Sequence, residues 1–269
     1  MILMLLSGCS EERASSQERF SGTGNTDTAA VVFGPSLTEM FYVSGAWSRV
    51  AGVDRFSKWP EEAQELAVVG DFLTPSMEMI TALGATSIHV IGTNQSLKSL
   101  SVRLGIPYYQ YSFDRLSDVY DSCDRIERLY PEADFRGFRE KIDTTLDSLH
   151  TVFQQDSLRV MIVVFLDADG SATVAGEGTF FADIINGMGC VPASPEAGSY
   201  PAVSVEGILS LAPDRVVIMD PYDAGEANIE LWRGSGLDDS NVRILSGDYV
   251  LVPGARLYEL IVGIAQCLN

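Results

Sequence analysis

The sequence predicts an α/β protein of two Rossmann-like lobes joined by one long rigid helix. Three observations carry that expectation: short β-branched runs alternate with helical segments, one long amphipathic stretch lies in mid-chain, and the two halves share an internal echo. At 269 residues the chain exceeds the usual single-domain size of about 100–200 residues, which leaves room for two lobes of roughly 110 residues each.

The alternation begins near residue 29. Strand-like runs at 30–33, 50–53, 88–91 and 108–111 are interleaved with helical segments at 35–43, 76–83 and 95–104, the βαβ rhythm of a mostly parallel sheet. In mid-chain Phe135, Phe138, Ile142, Leu146, Leu149 and Phe153 recur at steps of three and four, so they share one helix face. A helix of about 20 residues, roughly 30 Å long, follows from that spacing. Placed between two α/β segments, it reads as a stiff spine. The rhythm then resumes, with strands at 160–166, 173–175 and 216–219 and helices at 180–188, 205–211 and 256–268.

The echo is between Ser76, Glu78, Ile80 and Leu83 with the strand at Ile88, and Ser204, Glu206, Ile208 and Leu211 with the strand at Val216, all at one constant offset. Each copy has the same physics. Serine caps the helix start, glutamate in the first turn meets the positive dipole end, and the aliphatic residues face a sheet. Two lobes of similar design follow.

Composition narrows the function. With 46% hydrophobic and 20% charged residues the chain is globular, not disordered. Its 18 Lys+Arg against 37 Asp+Glu, a formal charge of −19, supply no basic footprint for nucleic acid. At the N-terminus Leu6-Ser7-Gly8-Cys9 resembles the lipobox of bacterial lipoprotein signal peptides, in which Cys9 becomes the lipidated residue. The apolar run before it, residues 2–6, is shorter than the usual core of about 7–15 residues. The expected layout is a signal peptide at 1–9, a flexible Ser/Gly/Thr-rich tether at 10–28, an N-terminal lobe at 29–133, a connecting helix at 134–157 and a C-terminal lobe at 158–269. The remaining cysteines, Cys123, Cys190 and Cys267, are odd in number and lack C-x-x-C spacing, so they read as small buried hydrophobes. With only His89 and His150 besides, a protein-built metal site has little raw material, and no cofactor is expected.

Taken in order, Gly34-Pro35-Ser36-Leu37-Thr38-Glu39, Val50-Ala51-Gly52-Val53-Asp54, Trp59-Pro60, Val69-Gly70-Asp71-Phe72, both S-x-E segments, the 176–189 segment and Pro253-Gly254-Ala255-Arg256-Leu257 resemble the periplasmic-binding-protein family that serves ABC importers of ferric siderophores, haem and cobalamin. The resemblance runs along most of the chain from about residue 30. It implies a ligand cleft between the lobes, a monomeric and extracytoplasmic lipoprotein, and two docking glutamates, Glu78 and Glu206, that pair with arginines of the permease dimer. It also implies a metal-chelate or corrinoid ligand. Large, rigid ligands of that kind suit flat side chains, and by position in the family pattern Phe56, Trp59 and Phe72 of the first lobe and Tyr200 and Tyr249 of the second are the candidates. Arg55 and Lys58 beside them could meet an anionic ligand group, though a solvated loop charge is the commoner explanation for such residues. Tyrosine is a possible haem-iron ligand, which keeps haem open, whereas tyrosine at 200 and 249, where cobalamin members prefer tryptophan, counts against cobalamin.

Two other classes compete, an extracytoplasmic α/β enzyme and a protein-binding lipoprotein scaffold. The sequence has no G-x-S-x-G elbow, no P-loop and no H-E-x-x-H, and Gly176-Glu177-Gly178 lacks the third glycine of a dinucleotide loop. Asp167 and Asp169 are the best carboxylate pair for acid–base work, and read more simply as polar residues at a strand-end turn.

Overall fold

The computed structural model describes residues 29–166, 171–195, 198–223 and 239–269. The first sheet is wholly parallel. Its strands β1 (Ala30–Phe33), β2 (Val50–Val53), β3 (Ala67–Val68), β4 (Ser87–Ile91) and β5 (Tyr108–Tyr111) lie in the order β3-β2-β1-β4-β5. The connecting helices are α1 (Pro35–Val43), α2 (Met77–Ala82) and α3 (Gln95–Leu104), and α4 (Leu116–Leu129) follows β5. That order reverses direction at β1, so the loops leaving β1 and β4 diverge and open a crevice beyond the carboxyl ends of the strands.

A long helix, α5 (Arg136–Phe153), leads to the second sheet. Its strands are β6 (Arg159–Leu166), β7 (Ala172–Val174), β8 (Val191–Pro192), β9 (Ala202–Val203), β10 (Arg215–Asp220) and β11 (Val242–Ser246). They run β11-β10-β6-β7-β9, with β8 also paired to β6. Here β7 is antiparallel to both neighbours. The link from β6 to β7 is too short for a crossover and must return directly. Helices α6 (Phe180–Gly187), α7 (Val205–Leu211) and α8 (Leu257–Leu268) complete the layers.

Strand periodicity decides which core each residue joins. In β1 Val31 and Phe33 point to α2 and α3, while Val32 points to α1. In β6 and β10 the same alternation sends Met161, Val163, Val216 and Ile218 to the outer side and Val160, Ile162, Val217 and Met219 to the inner side. The inner faces of both sheets belong to one continuous core, which passes through α5 by way of Phe135, Ile142, Leu146 and Phe153. The helix is clamped from both directions. On the first-lobe side Arg139 pairs with Glu127 and the Tyr120 hydroxyl donates to Asp143 at 2.6 Å; on the other, Lys141 sits 3.7 Å over the ring of Tyr258 on α8.

The two helices of the echo are built alike. The hydroxyl of Ser76 accepts from the amide of Met79 at 3.3 Å and that of Ser204 from the amide of Gly207 at 3.2 Å, and Ile80 and Ile208 are both fully buried. The three cysteines among the described residues are buried and unpaired, and burial pushes the Cys123 thiol up to about 12. No described helix is long and apolar enough to cross a membrane.

One buried polar cluster ties the first sheet to its inner helices. His89 is fully buried, with Nδ1 2.9 Å from the Tyr111 hydroxyl and Nε2 2.8 Å from the Tyr130 hydroxyl and 3.0 Å from the Ser87 hydroxyl. Burial first, and the nearby Arg125 second, pull its pKa from 6.5 to about 3. Histidine is therefore neutral in the folded chain, while the unfolded chain binds a proton below pH 6.5. Stability falls as pH drops from there toward 3, by up to about 1.4 kcal/mol per pH unit from this group. Urea titrations at a series of pH values should show that slope in the natural chain and a shallower one in His89→Gln.

Candidate functional site

Each candidate residue of the first lobe lies at the carboxyl edge of its sheet, and buried groups hold it there. At the end of β2 the carboxylate of Asp54, 4% exposed, accepts from the amides of Gly34 (2.6 Å), Phe56 (3.0 Å) and Ser57 (2.8 Å) and from the Ser57 hydroxyl (2.9 Å). Burial pushes its pKa up and these donors pull it back. Gly34, at φ 118°, leaves no room for a side chain: a Cβ would stand 2.5 Å from Ile91. This turn presents Arg55 and Phe56 outward, with Phe56 62% exposed.

Farther along, Trp59 packs edge-on against Tyr42 at 5.4 Å. Beyond β3, Asp71 closes its turn by accepting from the amides of Leu73 and Thr74, and its second oxygen meets Arg55 at 3.2 Å. The carbonyl of Phe72 accepts from Asn94 Nδ2 at 2.5 Å, and the Asn94 side chain also caps α3. The ends of β2, β3 and β4 are thus stitched into one platform carrying Arg55, Phe56 and Phe72.

The second lobe faces it with Tyr200 and Tyr249. Tyr200, 44% exposed, follows the carbonyl of Ser199, which accepts from Gly176 at 2.7 Å. Its pKa is raised by burial and by the negative charge of Asp114 from the first lobe. Tyr249 stands just beyond β11, and here the lobes touch. The guanidinium of Arg256 lies 5.6 Å from the Tyr249 ring and 5.0 Å from the Trp59 ring, so the two aromatics flank one cation. Arg256 also grips Glu39 of α1, through Nη2 at 2.6 Å and Nε at 3.1 Å, and reaches Asp248 at 2.5 Å. Glu39 is 1% exposed. Burial drives its carboxyl up and Arg256 counters that; burial likewise works against the charge on Arg256, which Glu39 and Asp248 together more than restore.

A second interlobe clamp joins Arg115, ahead of α4, to Asp183 on α6. Both guanidinium arms reach the carboxylate, Nε at 2.8 Å, and the Leu116 amide adds a third bond at 2.9 Å.

The structure therefore brings Trp59 and Tyr249 together around Arg256, joins Arg55 to Phe72 through the Asp71 turn, and leaves Phe56 and Tyr200 projecting from opposite lobes. Lys58 is exposed on the same loop. Glu78 and Glu206 lie elsewhere, exposed in the first turns of α2 and α7. Those helices run back against their strands, so both begin at the edge where the parallel strands end. Cys9, Asp167 and Asp169 lie outside the described residues. Glu39 and Arg256 escaped selection as site residues. The available signal was a lone carboxylate in α1, a helix otherwise without charge, because a charge placed among apolar side chains needs a partner.

Two α/β layers joined by a helix, with aromatic side chains at the facing strand ends and no exposed loop hinge in α5, define a two-lobed binding protein. The chain belongs to the periplasmic binding protein family, whose profile matches residues 31–235. A vitamin B12-binding protein of Vibrio parahaemolyticus is 22% identical over 86% of each chain. An uncharacterised ABC transporter substrate-binding lipoprotein of Bacillus subtilis is 23% identical over 71% of this chain and 63% of its own length. Among solved structures, a periplasmic haem-binding protein of Pseudomonas aeruginosa superposes with a TM-score of 0.72 at 22% identity, covering 90% of this chain and 92% of that one. A siderophore-binding protein of Vibrio cholerae bound to ferric Desferal gives 0.73 at 17% identity, covering 90% and 97%. At such identities these structures speak for the fold.

The contact between Gly254 and Glu39 gives a direct test of the interlobe geometry. A Cβ on residue 254 would stand 2.5 Å from Glu39 Oε2. Gly254→Ala should cost about 1–3 kcal/mol in thermal denaturation; a variant as stable as the natural chain would contradict this packing.

Proposed function

We propose that this chain is the substrate-binding component of an ABC importer, holding a corrinoid or an iron chelate, siderophore or haem, between its lobes and delivering it to the membrane permease. It does so as a receptor, without turnover. The observation that carries the reading is the placement of Phe56, Trp59 and Phe72 beyond the carboxyl ends of first-sheet strands, with Tyr249 beyond β11 and Tyr200 just ahead of β9 on the other lobe. Flat, weakly mobile side chains of this kind bury a large rigid ligand at small entropic cost. The names of the relatives and the family membership support the same reading.

In this proposal Glu78 and Glu206 dock the permease. One exposed carboxylate per lobe, each at a serine-capped helix start, offers two anchor points of fixed separation, and charge-assisted pairs with permease arginines would set the orientation. Lipid on Cys9 would keep the receptor at the membrane, outside the cytoplasm.

The two roles separate experimentally. Glu78→Arg combined with Glu206→Arg should abolish uptake of the ligand by cells. Tryptophan-fluorescence titration of the same purified variant with cyanocobalamin, haem and ferric siderophores should match the natural chain. Undiminished uptake would remove the docking assignment, and product formation from a bound compound would replace the receptor with an enzyme.

A further inference from the structure

We propose that the cleft is selective for ligands without net negative charge, so that it accepts a neutral corrinoid or a neutral or cationic ferric chelate and rejects ferric catecholates, ferric carboxylates and the dicarboxylate haem. The inference rests on the reading of the interlobe cleft as the ligand site and narrows its occupant.

The arginine charge on the strand-end loops is already committed. Anionic chelates are held by guanidinium and ammonium groups that are free to turn toward them. On the described strand-end loops the arginines have carboxylate partners from the protein itself. Arg256 is bound by Glu39 and Asp248. Arg115 gives both arms to Asp183. Arg55 is held at 3.2 Å by Asp71, whose other oxygen is fixed by the amides of Leu73 and Thr74, so the turn itself aims the carboxylate. Arg55 is half exposed, so this last pair adds little stability. Its consequence is to cancel the one arginine that sits between Phe56 and Phe72.

Meanwhile acidic groups stay at the rim. Asp248 is 62% exposed, and Asp114 is near enough to Tyr200 for its charge to act on the phenol. On the described strand-end loops Lys58 remains as a single exposed ammonium, too little for a triply charged chelate against a chain of formal charge −19. The field of the whole protein thus disfavours approach of an anion, and the described loops offer it no concentrated compensation. On the described loops a neutral or cationic ligand meets aromatic faces and mild attraction.

The natural chain can be titrated by tryptophan quenching with cyanocobalamin, the cationic ferric complex of desferrioxamine B, haem and a hexadentate ferric tris-catecholate, at about 0.02 M and about 0.5 M salt. Cyanocobalamin or the desferrioxamine complex should saturate, with haem and the tris-catecholate weaker by at least about tenfold at low salt and the gap narrowing at high salt. Asp71→Asn keeps the oxygen that closes its turn while releasing Arg55, and Asp248→Asn relieves Arg256. Each should improve the tris-catecholate relative to the best natural probe, by about tenfold together. Tightest binding by haem or the tris-catecholate, or a ratio unmoved in both variants, overturns the selectivity while leaving the receptor reading in place. Saturation by none of the four probes removes the receptor reading and the inference together.

Discussion

Glu39 lies on the first helix of the first lobe with almost no exposure to water, and its charge is tolerable there because Arg256 arrives from the second lobe to take it. Isolated, a buried carboxylate costs several kcal/mol. The pair is therefore less a source of stability than a constraint on arrangement: the lobes can sit where these two groups meet and few other places. Gly254 belongs to the same constraint, because its missing side chain lets the backbone approach the carboxylate. From this point the proposed binding surface is laid out, since the guanidinium that satisfies Glu39 also lies beside both Trp59 and Tyr249.

In the proposed reading, a cleft held this way is prepared before any ligand enters. The inner faces of both sheets share one core through α5, and a helix bends only by breaking backbone bonds that a loop hinge would leave intact. The Arg115–Asp183 clamp adds a second tie between lobes. Preorganisation of this sort lowers the ordering cost of binding, and it fits rigid ligands better than ones that must be enfolded.

Much of the fold was legible because it rests on periodicity. The bounds of β1, α1, β2, α3 and β5 agree with the expected runs residue for residue, and Phe135, Ile142, Leu146 and Phe153 share the buried face that their spacing predicts. Other elements escaped for physical reasons. Helix α4 places Val119, Cys123 and Ile126 inward but surrounds them with aspartates and arginines, which blur the apolar stripe. Strands β3, β8 and β9 are two residues each and leave no pattern, and β11, where only Val242 is buried and Arg243 and Ser246 are exposed, mixes polar with apolar positions. The site was half legible. Aromatics at strand ends could be picked from motif order, whereas the Glu39–Arg256 pair joins residues far apart in the chain, and no local spacing connects them.

If this pair holds the two lobes as one cooperative unit, a double-mutant cycle will show it. Urea unfolding of Glu39→Gln, Arg256→Met and the combined variant should show Arg256→Met losing about 3–5 kcal/mol, because it strands a buried carboxylate, with much of that loss recovered when Glu39→Gln is added. Single transitions that coincide for tryptophan fluorescence and circular dichroism should accompany the cycle. Losses that simply add, or lobes that unfold in separate steps in the natural chain, would contradict the account.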